Sequence, residues 1–154
     1  MSQSSEHDLQ VRCVTWFRYK YPHLMPLFFA VPNGGYRNKS EAARLKAEGE
    51  NAGVSDLILQ VPNEKYSSLN IEMKAGTSQR DTQKVYQQCV TASGGLYILC
   101  KSYEQFTKDV ISYIDRIDSK VTESLTELWR KRQAEELEKV RIKYQRRIKN
   151  TAKQ

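Results

Sequence analysis

Two short apolar runs with a polar stretch between them constrain this chain more than anything else in it. Leu57 to Val61 and Leu69 to Met73 are apolar and partly β-branched, and Pro62 to Ser68 between them is rich in turn-forming residues. That pattern predicts two paired strands with a hairpin-like connection. Side chains alternate faces along a strand, so Glu72 and Lys74 share one side while Ile71 and Met73 share the other. Asp56 stands at the start of the neighbouring strand, where it can meet Glu72. Two acids and a lysine converging at a strand end suit the holding of a divalent cation beside a water molecule. On their own, the same residues also fit a solvent-facing Glu–Lys pair and a turn aspartate.

The flanking sequence supplies alternating helix and strand signals. From Glu6 to Tyr21, Leu9, Cys13, Trp16, Phe17 and Tyr21 recur mostly at steps of three and four, which predicts a helix with one apolar stripe. Ser4 or Ser5 is placed to cap it, and Pro22 closes it. Glu6 lies on the Gln10–Cys13–Phe17 edge, where the helix can aim it at the strand end that carries Asp56. A favourable acid in a first helical turn is the plainer reading. Leu27 to Val31 reads as a buried strand ended by Pro32. The turn Asn33-Gly34-Gly35, with Arg37 and Lys39 directly after it, suits a loop facing phosphate, or a plain turn. Ser40 to Gly49 reads as a short helix with Ser40 as N-cap and Gly49 at C′. Its Lys46 is either a DNA contact or part of a solvated face.

Asp81 to Ser93 predicts a further helix, with Gln83 in its first turn and Val85, Cys89 and Val90 available to the core. Gly94-Gly95 ends it, Leu96 to Cys100 reads as a buried strand, and Tyr103 to Ile117 as a helix with Phe106, Val110, Tyr113, Ile114 and Ile117 inward. The order predicts a small α/β domain, a central mixed sheet flanked by helices, over residues 1–118. Residues 119–154 change character and predict one long helical extension, with an interrupted apolar seam through Val121, Leu125, Leu128, Leu137, Val140, Tyr144 and Ile148.

Charge separates the same two regions. The chain carries +7 overall, but eleven Lys/Arg against five Glu lie from Lys120 onward. The rest is left with fourteen bases against thirteen acids. A nucleic acid is the natural partner of such a basic block, although pairing with another subunit, or with the body of the domain, also fits the seam. No run approaches the roughly 18 apolar residues of a membrane span, and the N-terminal residues do not read as a signal peptide. Three cysteines without a CxxC pair (Cys13, Cys89 and Cys100) read as buried thiols in a reducing cytoplasm.

Asp56 with Glu72-Met73-Lys74 resembles the D…ExK core of the PD-(D/E)XK nuclease superfamily. Pro32-Asn33-Gly34-Gly35-Tyr36-Arg37, Leu45-Lys46-Ala47-Glu48-Gly49, Gly53-Val54-Ser55-Asp56-Leu57 and Ile71-Glu72-Met73-Lys74, in that order, resemble the VRR-NUC family in its compact stand-alone form. The resemblance covers roughly residues 6–113, with Ser55 standing where the superfamily has proline. It implies a restriction-endonuclease-like core and a Mg²⁺- or Mn²⁺-dependent endonuclease acting on DNA. Asp56, Glu72, the Met73 carbonyl and Glu6 are the implied metal site, Lys74 the residue that positions or deprotonates water, and Gln83 the glutamine near the reacting phosphate. The stand-alone members are associated with phages and bacteria, and the resemblance extends to a homodimer acting on branched DNA such as four-way junctions. Two other readings stand beside it. One is a nuclease for flaps, nicks or single strands. The other is a catalytically silent DNA-binding or scaffold protein that acts through its basic tail.

Overall fold

The computed structural model describes residues 3–32, 38–74 and 78–151. In chain order they form α1 (Gln3–Lys20), a 3-10 turn (Pro22–Leu27), β1 (Phe28–Ala30), α2 (Lys39–Ala47), β2 (Leu57–Leu59), β3 (Leu69–Met73), α3 (Asp81–Ala92), β4 (Leu96–Cys100), α4 (Tyr103–Ile114) and α5 (Ser119–Thr151). The four strands make one mixed sheet in the order β1-β2-β3-β4. β1–β2 and β2–β3 are antiparallel, and β3–β4 is parallel. The predicted hairpin is present, with Leu57 opposite Ile71 and Leu59 opposite Leu69. A parallel pair needs a crossover rather than a tight turn, and α3 supplies it.

β3 runs between β2 and β4, and all five of its residues are buried. Leu69, Ile71 and Met73 face Cys13 and Phe17 of α1 and Phe106 and Val110 of α4, where the apolar core forms. Phe17 stacks on Phe28 with ring centroids 3.9 Å apart. Asn70 and Glu72 face the other way, beneath α3. There the Tyr86 hydroxyl donates to Asn70 Oδ1 at 2.8 Å and Gln83 Nε2 donates to Glu72 Oε1. Helices thus cover both sides of the strand, one side apolar and one polar, so burial extends to polar residues that must be hydrogen-bonded.

The hairpin connection is held by α4. The Tyr113 hydroxyl donates to the Val61 carbonyl at 2.6 Å, and Asn63 Nδ2 donates to the Tyr113 carbonyl at 3.0 Å. Asn63 Oδ1 accepts the backbone N–H groups of Lys65 and Tyr66, which turns the chain back toward β3.

Several expected details differ. The strand expected over Leu27–Val31 is three residues long, and only Phe28 is buried. It is an edge strand in which Phe28 packs on the core while Phe29 and Ala30 stay exposed. Asn38, not Ser40, caps α2: its Oδ1 accepts the Glu41 N–H at 2.8 Å and also the Ser40 hydroxyl. α1 begins at Gln3, so Ser4 and Ser5 lie within the helix rather than before it. On α3, Val90 is buried, but Val85 and Cys89 are exposed, because Gln83 and Tyr86 are the residues turned toward the sheet. The cysteines therefore divide into a buried pair, Cys13 and Cys100, and an exposed Cys89.

The first turns of α5 pack against the 3-10 turn, with Leu125 against the core. From Arg130 to Ile148 every side chain is exposed. Among the described residues no helix is long and apolar enough to cross a membrane.

Removing the Tyr113 hydroxyl leaves the buried Val61 carbonyl without that donor. Tyr113→Phe is expected to lower unfolding stability by about 1–2 kcal/mol, read from urea denaturation midpoints. An unchanged midpoint would show that the hydroxyl does not hold the connection.

Candidate active site

The antiparallel pairing of β2 with β3 brings Asp56, one residue before β2, beside the end of β3. Asp56 Oδ2 accepts the Met73 N–H at 2.8 Å, and the Asp56 carbonyl accepts the Val31 N–H at 2.9 Å. The acid is thereby tied to both neighbouring segments. The approach to it depends on Gly53, whose φ is +90°. A Cβ there would lie 2.5 Å from the backbone carbon and oxygen of Thr82, so only glycine allows the loop to pass against the first turn of α3. Ser55 is fully buried, and its hydroxyl makes long contacts to the Leu57 carbonyl (3.4 Å) and Asn70 Oδ1 (3.5 Å). It joins the polar layer beneath α3.

Glu72 lies at the centre of this layer and is 3% exposed. Gln83 Nε2 donates to its Oε1, Lys74 Nζ stands 3.6 Å from the same oxygen, and the Tyr97 hydroxyl lies 3.5 Å from Oε2. Gln83 is itself fixed, since its Oε1 accepts the Arg80 N–H at 2.9 Å. Burial and the nearby Asp56 charge push the Glu72 carboxyl up to about 7, against the pull of Lys74 and the Tyr97 hydrogen bond. Burial also raises Asp56, opposed by the Met73 N–H and Lys74 and reinforced by Glu6. Two carboxylates thus share a poorly hydrated site with one ammonium group, an arrangement that disfavours ionising both.

A cleft of about 590 Å³ opens over this cluster. Glu6, Asp56, Glu72, Met73, Lys74 and Gln83 all line it, so the fold brings together every residue expected at the centre of the site. Lys46 of α2 lines it too, whereas Lys39 is exposed at the start of α2 and is not part of its wall. Asn33, Gly34, Gly35 and Arg37 lie outside the described residues. Among the described residues, no three His, Cys, Asp or Glu side chains gather closely enough to form a metal cluster by themselves. Asp56 and Glu72 are the close pair, with Glu6 on the same wall. His7 and His23 do not line the cleft; His7 is exposed and His23 packs edge-on against Tyr21.

Two participants were not foreseen. Tyr97 reaches Glu72 because the parallel register sets it opposite Asn70, a pairing created by the α3 crossover and carrying no local sequence mark. Arg80 lines the cleft from the residue before α3 and looks, in sequence, like any linker cation. The Gly53 contact had a partial signal, a glycine three residues before an acid, but its reason lies in Thr82.

No family model matches the chain. No curated protein matches it either. Among solved structures, the chain is similar to a protein described as a VRR_NUC domain protein. The two share 21% sequence identity, with 77% of this chain and 94% of that chain covered and a TM-score of 0.64. The chain has that protein's fold, a four-stranded mixed sheet flanked by helices.

The electrostatics of Glu72 carry a measurable consequence. Its carboxyl is raised from an ordinary 4.5 to about 7, so stability is full below about 4.5, where it is protonated in both folded and unfolded chains. Stability is lost as pH rises through about 7. At about 1.4 kcal/mol per pKa unit, ionised Glu72 costs the folded state roughly 3 kcal/mol above that range. Without divalent cations, Glu72→Gln should therefore raise the melting temperature at pH 8 and lose that advantage by about pH 4.5. An advantage of equal size at both pH values would contradict this origin.

Proposed function

We propose that this protein is a nuclease of the VRR-NUC type that hydrolyses phosphodiester bonds in DNA with the help of a divalent cation. The observation that carries the reading is the pairing of buried Glu72 with half-buried Asp56 at a strand end, with Lys74 and Gln83 on the Glu72 carboxylate. The shared fold with a VRR_NUC domain protein supports it.

The donor set suits a hard cation. Its side-chain ligands are carboxylate oxygens, no cysteine or histidine lines the cleft among the described residues, and the mutual repulsion of a buried and a half-buried carboxylate is what a divalent charge relieves. Asp56, Glu72 and the Met73 carbonyl would hold Mg²⁺ or Mn²⁺, with Glu6 reaching it directly or through water. When bound, such an ion neutralises phosphate charge and lowers the pKa of a coordinated water.

The protein's own groups do the rest. Lys74, partly buried beside Glu72, is placed to orient the attacking water and to stabilise charge that develops on the phosphate. Gln83 and Tyr97 keep the Glu72 oxygens in register, so the carboxylate does not rotate away from the cleft. Lys46 and Arg80 on the cleft wall, with Lys39 and the segment Asn33-Gly34-Gly35 and Arg37, would contact the phosphate backbone. Branched DNA such as a four-way junction, and a homodimer with two sites, are the substrate and assembly that the family resemblance suggests.

The test is cleavage of labelled linear, flapped and four-way DNA with Mg²⁺ or Mn²⁺ against EDTA. Metal-dependent cutting is expected, reduced at least about 10²-fold by Lys74→Ala and by Asp56→Asn. Tight binding without cutting in either metal would replace this reading with a DNA-binding protein.

A further inference from the structure

The outer part of α5 is the largest feature that the cleft does not use. From Arg130 to Ile148 it is exposed all round, and it carries eight Lys/Arg against three Glu. Arg132, Lys139, Lys143 and Arg146 follow one another at steps of seven, four and three. At 100° per residue these four fall within about 60° of one another, on a single face. Glu136 pairs with Lys139 at 2.8 Å and Glu138 with Arg141 at 3.4 Å, so two of the three acids are engaged along the helix and the surplus stays positive.

Leu137, Val140, Tyr144 and Ile148 form an apolar stripe about 80° wide, centred about 130° round the helix from the basic one, 53–70% exposed. Charge decides between the occupants that these two faces invite. Pairing with a second copy would bring two strongly basic helices together, and four apolar side chains fall far short of the roughly 20–30 residues a side of a standard interface. A polyanion meets the dominant property of the surface directly.

We infer that the projecting half of α5 is an arm that binds the sugar-phosphate backbone of duplex DNA through Arg132, Lys139, Lys143 and Arg146. The inference rests on the nuclease reading for the identity of the polyanion. From residue 130 to residue 151 the helix is about 33 Å long at 1.5 Å per residue, close to the roughly 34 Å of one duplex turn. Its root packs against the 3-10 turn that follows α1, while Glu6 lies near the other end of α1. About 21 Å of helix separates them, so the arm contacts DNA outside the cleft and adds affinity without reading sequence.

The experiment is fluorescence anisotropy of the full-length chain with a 30-base-pair DNA duplex (about three duplex turns) in EDTA, across a series of salt concentrations. Wild type is compared with the quadruple variant R132Q/K139Q/K143Q/R146Q, which keeps helix-forming side chains and is checked by circular dichroism. Losing four phosphate contacts should make the slope of log K against log salt shallower by about 3 to 4. An unchanged slope, or no binding by wild type, overturns the arm. So does a variant Leu137→Ser/Tyr144→Ser that dissociates a dimer while the quadruple variant binds as wild type does, because the helix then serves a second copy. Cleavage is scored separately. A flattened slope in a protein that cuts nothing keeps the arm and removes the nuclease reading; cutting with an unchanged slope does the reverse.

Discussion

A carboxylate that is almost fully out of water has to be compensated, and in this protein the compensation of Glu72 organises the surrounding structure. The strand that carries it is covered on both faces, so Glu72 meets water only through the cleft it lines. Its neighbours are therefore polar groups from separate elements: Gln83 from α3, Tyr97 from β4 and Lys74 from the end of its own strand. Asp56 adds a second acid rather than a counter-charge, and the pair is left short of positive charge. A folded chain tolerates that deficit as a local loss of stability, which is common where a site is built for a ligand rather than for the fold.

The rest of the scaffold serves to keep that deficit in place. The apolar side of β3 anchors the strand through α1 and α4, and the Tyr113 bond ties the hairpin connection to α4. Gly53 lets the chain before Asp56 lie against Thr82, so the loop that delivers one acid and the helix that delivers Gln83 are positioned by the same contact. α5 stands apart from this logic. It leaves the body after a few packed turns and gathers most of the basic excess of a chain that is otherwise nearly neutral.

Much of this arrangement was legible in the sequence because it depends on short-range patterns. The Leu57–Val61 and Leu69–Met73 runs mark the hairpin, alternation separates Glu72 from Ile71, and the order of helix and strand signals predicts the mixed sheet. Glu6, Asp56, Glu72, Lys74 and Gln83 could be gathered by family resemblance, and they do line one cleft. What escaped depends on partners distant in sequence. Tyr97 reaches Glu72 only through the β3–β4 register, and Gly53 is required only because of Thr82. The inward face of α3 differs from its hydrophobic stripe for a related reason. Its sheet-facing side meets a polar layer, so Gln83 and Tyr86 turn inward while Val85 and Cys89 turn out. Hydrophobic periodicity cannot announce a helix that packs on polar groups.

We propose that the Asp56–Glu72 pair is short of positive charge because it receives a divalent cation. Calorimetric titration of metal-free protein with Mn²⁺ near pH 7, in buffers of different ionisation enthalpy, tests it most directly. Saturable binding should appear with net proton release, because Glu72 titrates near that pH and must ionise to bind. Asp56→Asn should weaken that binding about tenfold or more. No saturable binding, or equal affinity in Asp56→Asn, would contradict the account.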